Sequence, residues 1–214
     1  MKTQEHTKRF NLGAKGYTTD RYPGRGQCMQ KVLELLDPRP GDAVLDVGCG
    51  PGAQLIELAS FIRSGYGVDP ADEMIRRAAA EASGHTNLHF HVGAAQDLPD
   101  AIRTAGINKI YSNYALHHLP DPSKRGAIQG FADLLPIGGR LVLGDLMFSD
   151  DPEKHRDLLE FVGYGPGSDT PAYVTALEEM FKFAGLSPTT YILNPFVGVI
   201  VGQKIQHPDR TRIR

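Results

Sequence analysis

Two periods of apolar and polar residues run through the chain and alternate with one another. Short apolar runs at Ala43–Val47, Gly65–Asp69, Leu88–Val92, Lys109–Tyr114, Arg140–Met147, Thr189–Leu193 and Phe196–Lys204 predict seven strands. Between them the spacing becomes helical. Leu55, Leu58, Ala59 and Ile62 recur at i, i+3, i+4, i+7, as do Ile128, Phe131, Ala132 and Leu135, and again Leu177, Met180, Phe181 and Ala184. Such stripes are core-facing. Strands separated by amphipathic helices predict parallel pairing, with helices on both faces of one sheet. In LHFHV, apolar Leu88, Phe90 and Val92 alternate with His89 and His91, which predicts an edge strand with one wet face. The LNPFVG connection is too short for a helical crossover and predicts a closing hairpin.

The fold class expected is α/β: a three-layer α/β/α Rossmann-like sandwich around a seven-stranded, mostly parallel sheet. At 214 residues the chain can bury one substantial core, so a single domain over 1–205 is expected. Residues 1–35 are expected to form an N-terminal cap, 149–188 a lid or an ordinary surface connection around the Gly/Pro-rich break at Gly163–Pro171, and 206–214 a polar tail. A net charge of −2 with dispersed basic residues disfavours a nucleic-acid partner. No apolar run reaches the length of a membrane span, and Cys28 and Cys49 make neither a disulfide framework nor a paired zinc motif, so a cytoplasmic location is expected.

The chemistry is concentrated in AVLDVGCGPG, residues 43–52, where an apolar strand carrying Asp46 runs into three alternate glycines and then a helix. Gly48, Gly50 and Gly52 permit dihedrals closed to other residues and let a ligand approach the backbone. A dinucleotide turn, G-x-G-x-x-G, has its third glycine one residue later. Asp46 would also repel a pyrophosphate, whereas it suits a ligand bearing an ammonium and a sulfonium. Asp69, ending the second strand, falls on the same sheet edge, where its carboxylate can accept ribose hydroxyls or cap the helix that follows. Pro70 and Met74 are placed to flank a base.

VLDVGCGPG followed by GVD resembles the first two motifs of the class I S-adenosylmethionine-dependent methyltransferases, over roughly residues 25 to 147. Within that family the chain is most similar to the group containing the ubiquinone and menaquinone biosynthesis methyltransferases, through SNYALHHLPD and DLLPIGGRLVLGD. The resemblance implies S-adenosylmethionine as cofactor, methyl transfer to a small-molecule acceptor and an antiparallel last strand. By it, Gly48 and Gly50 approach the methionine part, Asp46 the amino end and Asp69 the ribose. Ala94, Ala95 and Gln96 line the adenine, and Asn113 faces the ammonium. Many relatives carry Asp at the position of Ala94. GAAQD also resembles a run in catechol-type members, leaving Asp97 as either an adenine acceptor or a cap for a helix over Leu98–Ala105.

Methyl transfer is a single displacement that asks mainly for alignment and desolvation. His117 and His118 are the candidate bases, with a structural role at a helix start as the alternative. No catalytic metal is expected, because no acidic residue lies near Asn113 in the sequence. Arg25 and Tyr17, in a segment with Arg21 and Tyr22, are candidates to close over the cofactor, and Tyr164 and Tyr173 to meet the acceptor. A non-catalytic cofactor-binding protein and a nicotinamide-dependent oxidoreductase are the rival functions.

Overall fold

In a computed structural model, residues 24–155 and 169–206 are described. In chain order they form α1 (Arg25–Leu36), β1 (Ala43–Val47), α2 (Ala53–Leu58), β2 (Ser64–Asp69), α3 (Asp72–Glu81), β3 (Leu88–Val92), α4 (Asp100–Arg103) and β4 (Lys109–Asn113). There follow α5 (Asp121–Leu134), β5 (Arg140–Phe148), β6 (Ala172–Tyr173), α6 (Val174–Phe183), β7 (Leu186–Asn194) and β8 (Val197–Lys204).

The sheet runs β3-β2-β1-β4-β5-β8-β7, with β6 paired to the end of β5. Strands β1 to β5 are parallel to one another, whereas β8 is antiparallel to both β5 and β7. The last strand is therefore antiparallel, as the resemblance implied. The β7–β8 hairpin is tightened at its corner by Asn194, whose Oδ1 accepts the amide of Phe196 at 3.0 Å.

Side-chain alternation along each strand feeds two separate cores. Ala43, Leu45 and Val47 of β1, Ile110 of β4, and Leu141 and Leu143 of β5 pack under α4, α5 and α6. Val44, Tyr111 and Val142 face the other way, onto α1 and α2. All twelve residues of the three helical stripes are buried, each at 6% exposure or less. This follows from the cost of leaving large apolar surfaces wet, about 1.5–3 kcal/mol for each large side chain.

The edge position of β3 is as expected and His89 is exposed, but the alternation fails at the end of the strand, where His91 is half-buried and Val92 is exposed. Beyond one-residue shifts at strand ends, three features differ. Strand β7 begins at Leu186 rather than Thr189, because Pro188, which reads as a strand breaker, is tolerated at a sheet edge. A two-residue strand, β6, adds to the seven foreseen. The helix expected over Leu98–Ala105 shrinks to Asp100–Arg103 with Pro99 at its N-cap, so Asp97 does not cap it.

Strand order reverses between β1, whose chain moves outward to β2 and β3, and β4, which starts the other half of the sheet. Ligands of open α/β sheets bind in the crevice outside the carboxyl ends of strands at such a point. Among the described residues, no helix is long and apolar enough to cross a membrane.

Candidate functional site

A cleft opens at that reversal, lined by the segments that leave β1, β2, β3 and β4 and by Arg25 and Met29 of α1. Every described residue expected to bind the cofactor lines it: Arg25, Asp46, Gly48, Gly50, Asp69, Pro70, Met74, Ala94, Ala95, Gln96 and Asn113. Tyr17, Arg21, Tyr22 and Tyr164 lie outside the described residues. Tyr173 packs against Phe148 with ring centroids 5.8 Å apart, and Asp97 is exposed; neither lines the cleft.

The floor is the glycine turn. Gly48 and Cys49 donate their amides to the carbonyl of Val68, at 2.7 and 3.1 Å, which folds the turn onto β2. Gly48 and Gly50 have φ of +76° and +53°, a region costly for residues with a Cβ. Their surroundings differ. A Cβ on Gly48 would meet that of Ala115 at 2.4 Å, whereas a Cβ on Gly50 would project into open space within the cleft. The first glycine is required by packing against the β4 exit, and the second keeps ligand space clear.

Two buried carboxylates flank the turn. Asp69 accepts the amide of Gly50 at 3.0 Å on one oxygen and that of Ala71 at 2.8 Å on the other. It therefore fixes both the turn and the start of α3, and each oxygen keeps a lone pair for a further donor. Burial raises its carboxyl above the ordinary value, against the pull of those two amides. Asp46 accepts a hydrogen bond from the buried Tyr111 hydroxyl at 2.8 Å. Burial pushes its carboxyl up to about 7, opposed by that hydroxyl and reinforced by nearby Asp69. A cationic ligand in the cleft would reverse this penalty by pairing with the ionised form.

The wall opposite is the exit of β4. Asn113 donates Nδ2–H to Oε1 of Gln54 at 2.8 Å. This leaves Nε2 of Gln54 and Oδ1 of Asn113 buried and without a partner, one a donor and the other an acceptor. Both residues line the cleft and are at least nine-tenths buried. Unpaired buried polar atoms are costly, so this complementary pair fits a zwitterionic group. Sequence reasoning missed Gln54, whose place in an amphipathic helix carries no signal beyond its polarity. Tyr114 follows with φ +51°, a non-glycine residue in the left-handed region, and its ring lies beneath the Arg25 guanidinium at 5.4 Å.

Beyond it, Leu116–His118 forms a 3-10 turn. Nδ1 of His117 meets Oδ1 of Asp145 at 2.5 Å, and the His117 amide donates to Oδ2 at 3.0 Å. Nδ1 of His118 meets Oδ1 of Asp169 at 3.0 Å. The two rings lie 4.0 Å apart between centroids, tilted by 50° to one another. His118 lines the cleft, whereas His117 is buried behind it. Burial lowers the His118 pKa, against the opposing pull of Asp169, so the ring is held neutral near pH 7. The ground for expecting no metal is corrected here: chain folding brings two carboxylates to the histidine turn from positions 28 and 51 residues away.

Comparison with known proteins bears on the family and the fold. Residues 44–139 match the methyltransferase-domain family. The chain is 29% identical over 182 residues to an uncharacterised methyltransferase of Anoxybacillus flavithermus, covering 82% of this chain and 84% of the other. Its fold superposes with a TM-score of 0.73 on a structure of the Haloferax volcanii Trm112 methyltransferase activator in complex with a putative methyltransferase, at 21% identity over 95% of this chain and 97% of that one. Magnesium protoporphyrin IX methyltransferase from Synechocystis, crystallised with S-adenosylhomocysteine, superposes at 0.65 with 19% identity, covering 82% and 83%. The match to the methyltransferase-domain family spans residues 44–139, and the fold of the chain is the one shared with these methyltransferase structures.

Proposed function

We propose that this protein transfers the methyl group of S-adenosylmethionine to a small-molecule acceptor, releasing S-adenosylhomocysteine. The observation carrying this reading is the pairing of two buried carboxylates with an open glycine cradle at the sheet reversal. Asp46 sits where a pyrophosphate would be repelled and a sulfonium or ammonium attracted. Asp69 offers its remaining lone pairs to the ribose. Pro70 and Met74 on one side, and Ala94, Ala95 and Gln96 on another, flank the adenine. Gln54 and Asn113 receive the carboxylate and ammonium of the methionine end through their unpaired donor and acceptor, and Arg25 supplies a second countercharge to the carboxylate.

The rate comes from holding the acceptor in line with the sulfonium methyl and from excluding water. His118, neutral and on the cleft wall, takes a proton where the acceptor must lose one, and Asp169 holds its ring in place. His117 is a positioning residue behind it.

Incubating the protein with S-adenosylmethionine labelled at the methyl group and a fractionated metabolite extract tests the proposal. Label should pass to at least one small molecule in proportion to the S-adenosylhomocysteine formed. Stoichiometric cofactor binding without transfer to any fraction would favour the non-catalytic alternative instead.

A further inference from the structure

Methyl transfer asks for one base at most, yet the turn after β4 holds two imidazoles and two carboxylates, all buried or half-buried. Among the described residues, a ring nitrogen of His117, one of His118 and a carboxylate oxygen of Asp169 lie within 4.8 Å of one another. His117 is 2% exposed, its Nδ1 is held by Asp145, and its Nε2 is buried without a hydrogen-bond partner. A simple core histidine would have that nitrogen satisfied, since an unpaired buried polar atom costs about 1–3 kcal/mol.

Asp145 grips His117 through the ring and, with its second oxygen, through the backbone amide at 3.0 Å. A carboxylate on one nitrogen of an imidazole, fixing the ring and leaving the other nitrogen open, is the arrangement found behind metal-ligating histidines. His118 Nδ1 and the Asp169 carboxylate are held 3.0 Å apart by a hydrogen bond, and as two tetrahedral ligands about 2.1 Å from one ion they would open to about 3.4 Å, a shift of a few tenths of an ångström. Closing the rest of the set needs a shift of the order of an ångström from side chains on a short 3-10 turn.

We propose that His117 Nε2, His118 Nδ1 and Asp169 bind a divalent first-row ion, Zn2+ foremost, with Asp145 orienting His117 from behind. Two neutral imidazoles and one carboxylate are a donor set suited to Zn2+ and Fe2+ and ill-suited to Mg2+ or Ca2+. They leave at least one coordination position open. Because His118 lines the cleft, that position stands at the acceptor wall, where the ion, in place of an imidazole base, lowers the pKa of a bound acceptor hydroxyl or thiol so that its proton passes to solvent water. The ion site stands independently of the methyl-transfer reading; only its use on an acceptor rests on that reading.

Titration of the metal-free full-length protein with Zn2+ alone, by calorimetry, tests it. One equivalent should bind with micromolar affinity or better, weakened at least about tenfold in His118→Ala and in Asp169→Ala, and about tenfold in Asp145→Asn. The double variant His89→Gln/His91→Gln, on the β3 edge, should bind as the parent does. Since His117→Ala empties a buried position, ligation is read in the unsubstituted protein instead: Co2+ in place of Zn2+ should give the intense visible bands of a four-coordinate complex. An absence of saturable Zn2+ binding, or binding abolished by the β3 double variant and indifferent to Asp169→Ala, overturns the proposal. S-adenosylhomocysteine titrated into the same samples reports on the cofactor cleft separately, so failure of one site is distinguishable from failure of the other.

Discussion

The two walls of the cleft are assembled from different ranges of the sequence. On the β1–β2 side, the working parts come from two consecutive strands: Asp46, Gly48 and Gly50 at the end of β1 and in the turn after it, and Asp69 at the end of β2, 19 residues from Gly50 and bonded directly to its amide. On the β4 side, His117 and His118 acquire their partners from the end of β5 and from Asp169, beyond a long connection. On the function proposed above, the near wall holds the cofactor and the far wall meets the acceptor. Local assembly gives a recurring motif, and distant assembly leaves only isolated polar residues in the sequence.

Substitutions on the two walls should therefore separate cofactor binding from acceptor chemistry. The largest effect is expected at Asp69. Asp69→Ala should weaken S-adenosylhomocysteine binding by at least about tenfold, roughly 1.5 kcal/mol, through loss of charge-assisted hydrogen bonds to the ribose and release of the Gly50 amide. His118→Ala, on the far wall, should change the same affinity less than twofold. Equal losses in both variants, measured by calorimetry well below their melting temperatures, would erase the distinction between the walls.

A smaller effect is expected from pH. The Asp46 carboxyl is raised to about 7 in the folded protein without ligand. Because the raised value reflects a burial penalty on the charged form, its contribution to stability is complete below the ordinary carboxylate range and is lost as pH rises through 7. A cationic cofactor prefers the ionised form, so affinity should rise between pH 6 and 8, by at most about tenfold per unit below 7. Asp46→Asn should flatten that rise. A pH profile of binding identical in the two proteins would remove Asp46 from contact with the ligand's positive charge.

The same contrast explains what the sequence made legible. Strand β1 is a continuous apolar run because both of its faces are buried, and the three helical stripes follow from a single buried face on each helix; both leave a period in the sequence. The glycine turn was legible because left-handed φ restricts the residue type. Asp145 was not. It reaches His117 only because the parallel register sets Asn113 beside Gly144, a pairing that no local pattern encodes. Gln54 was hidden for a related reason, since its partner Asn113 lies 59 residues away on another element. Tyr114 gave no warning either: its left-handed backbone is imposed by the turn out of β4, at a residue type that does not favour it.

The central claim, that two buried carboxylates and an open glycine cradle select an adenosyl amino acid over a dinucleotide, is tested most directly by calorimetric titration with S-adenosylhomocysteine and, separately, with NADH. The account predicts one equivalent of S-adenosylhomocysteine bound and no saturable NADH binding. Saturable binding of NADH with none of S-adenosylhomocysteine would contradict it.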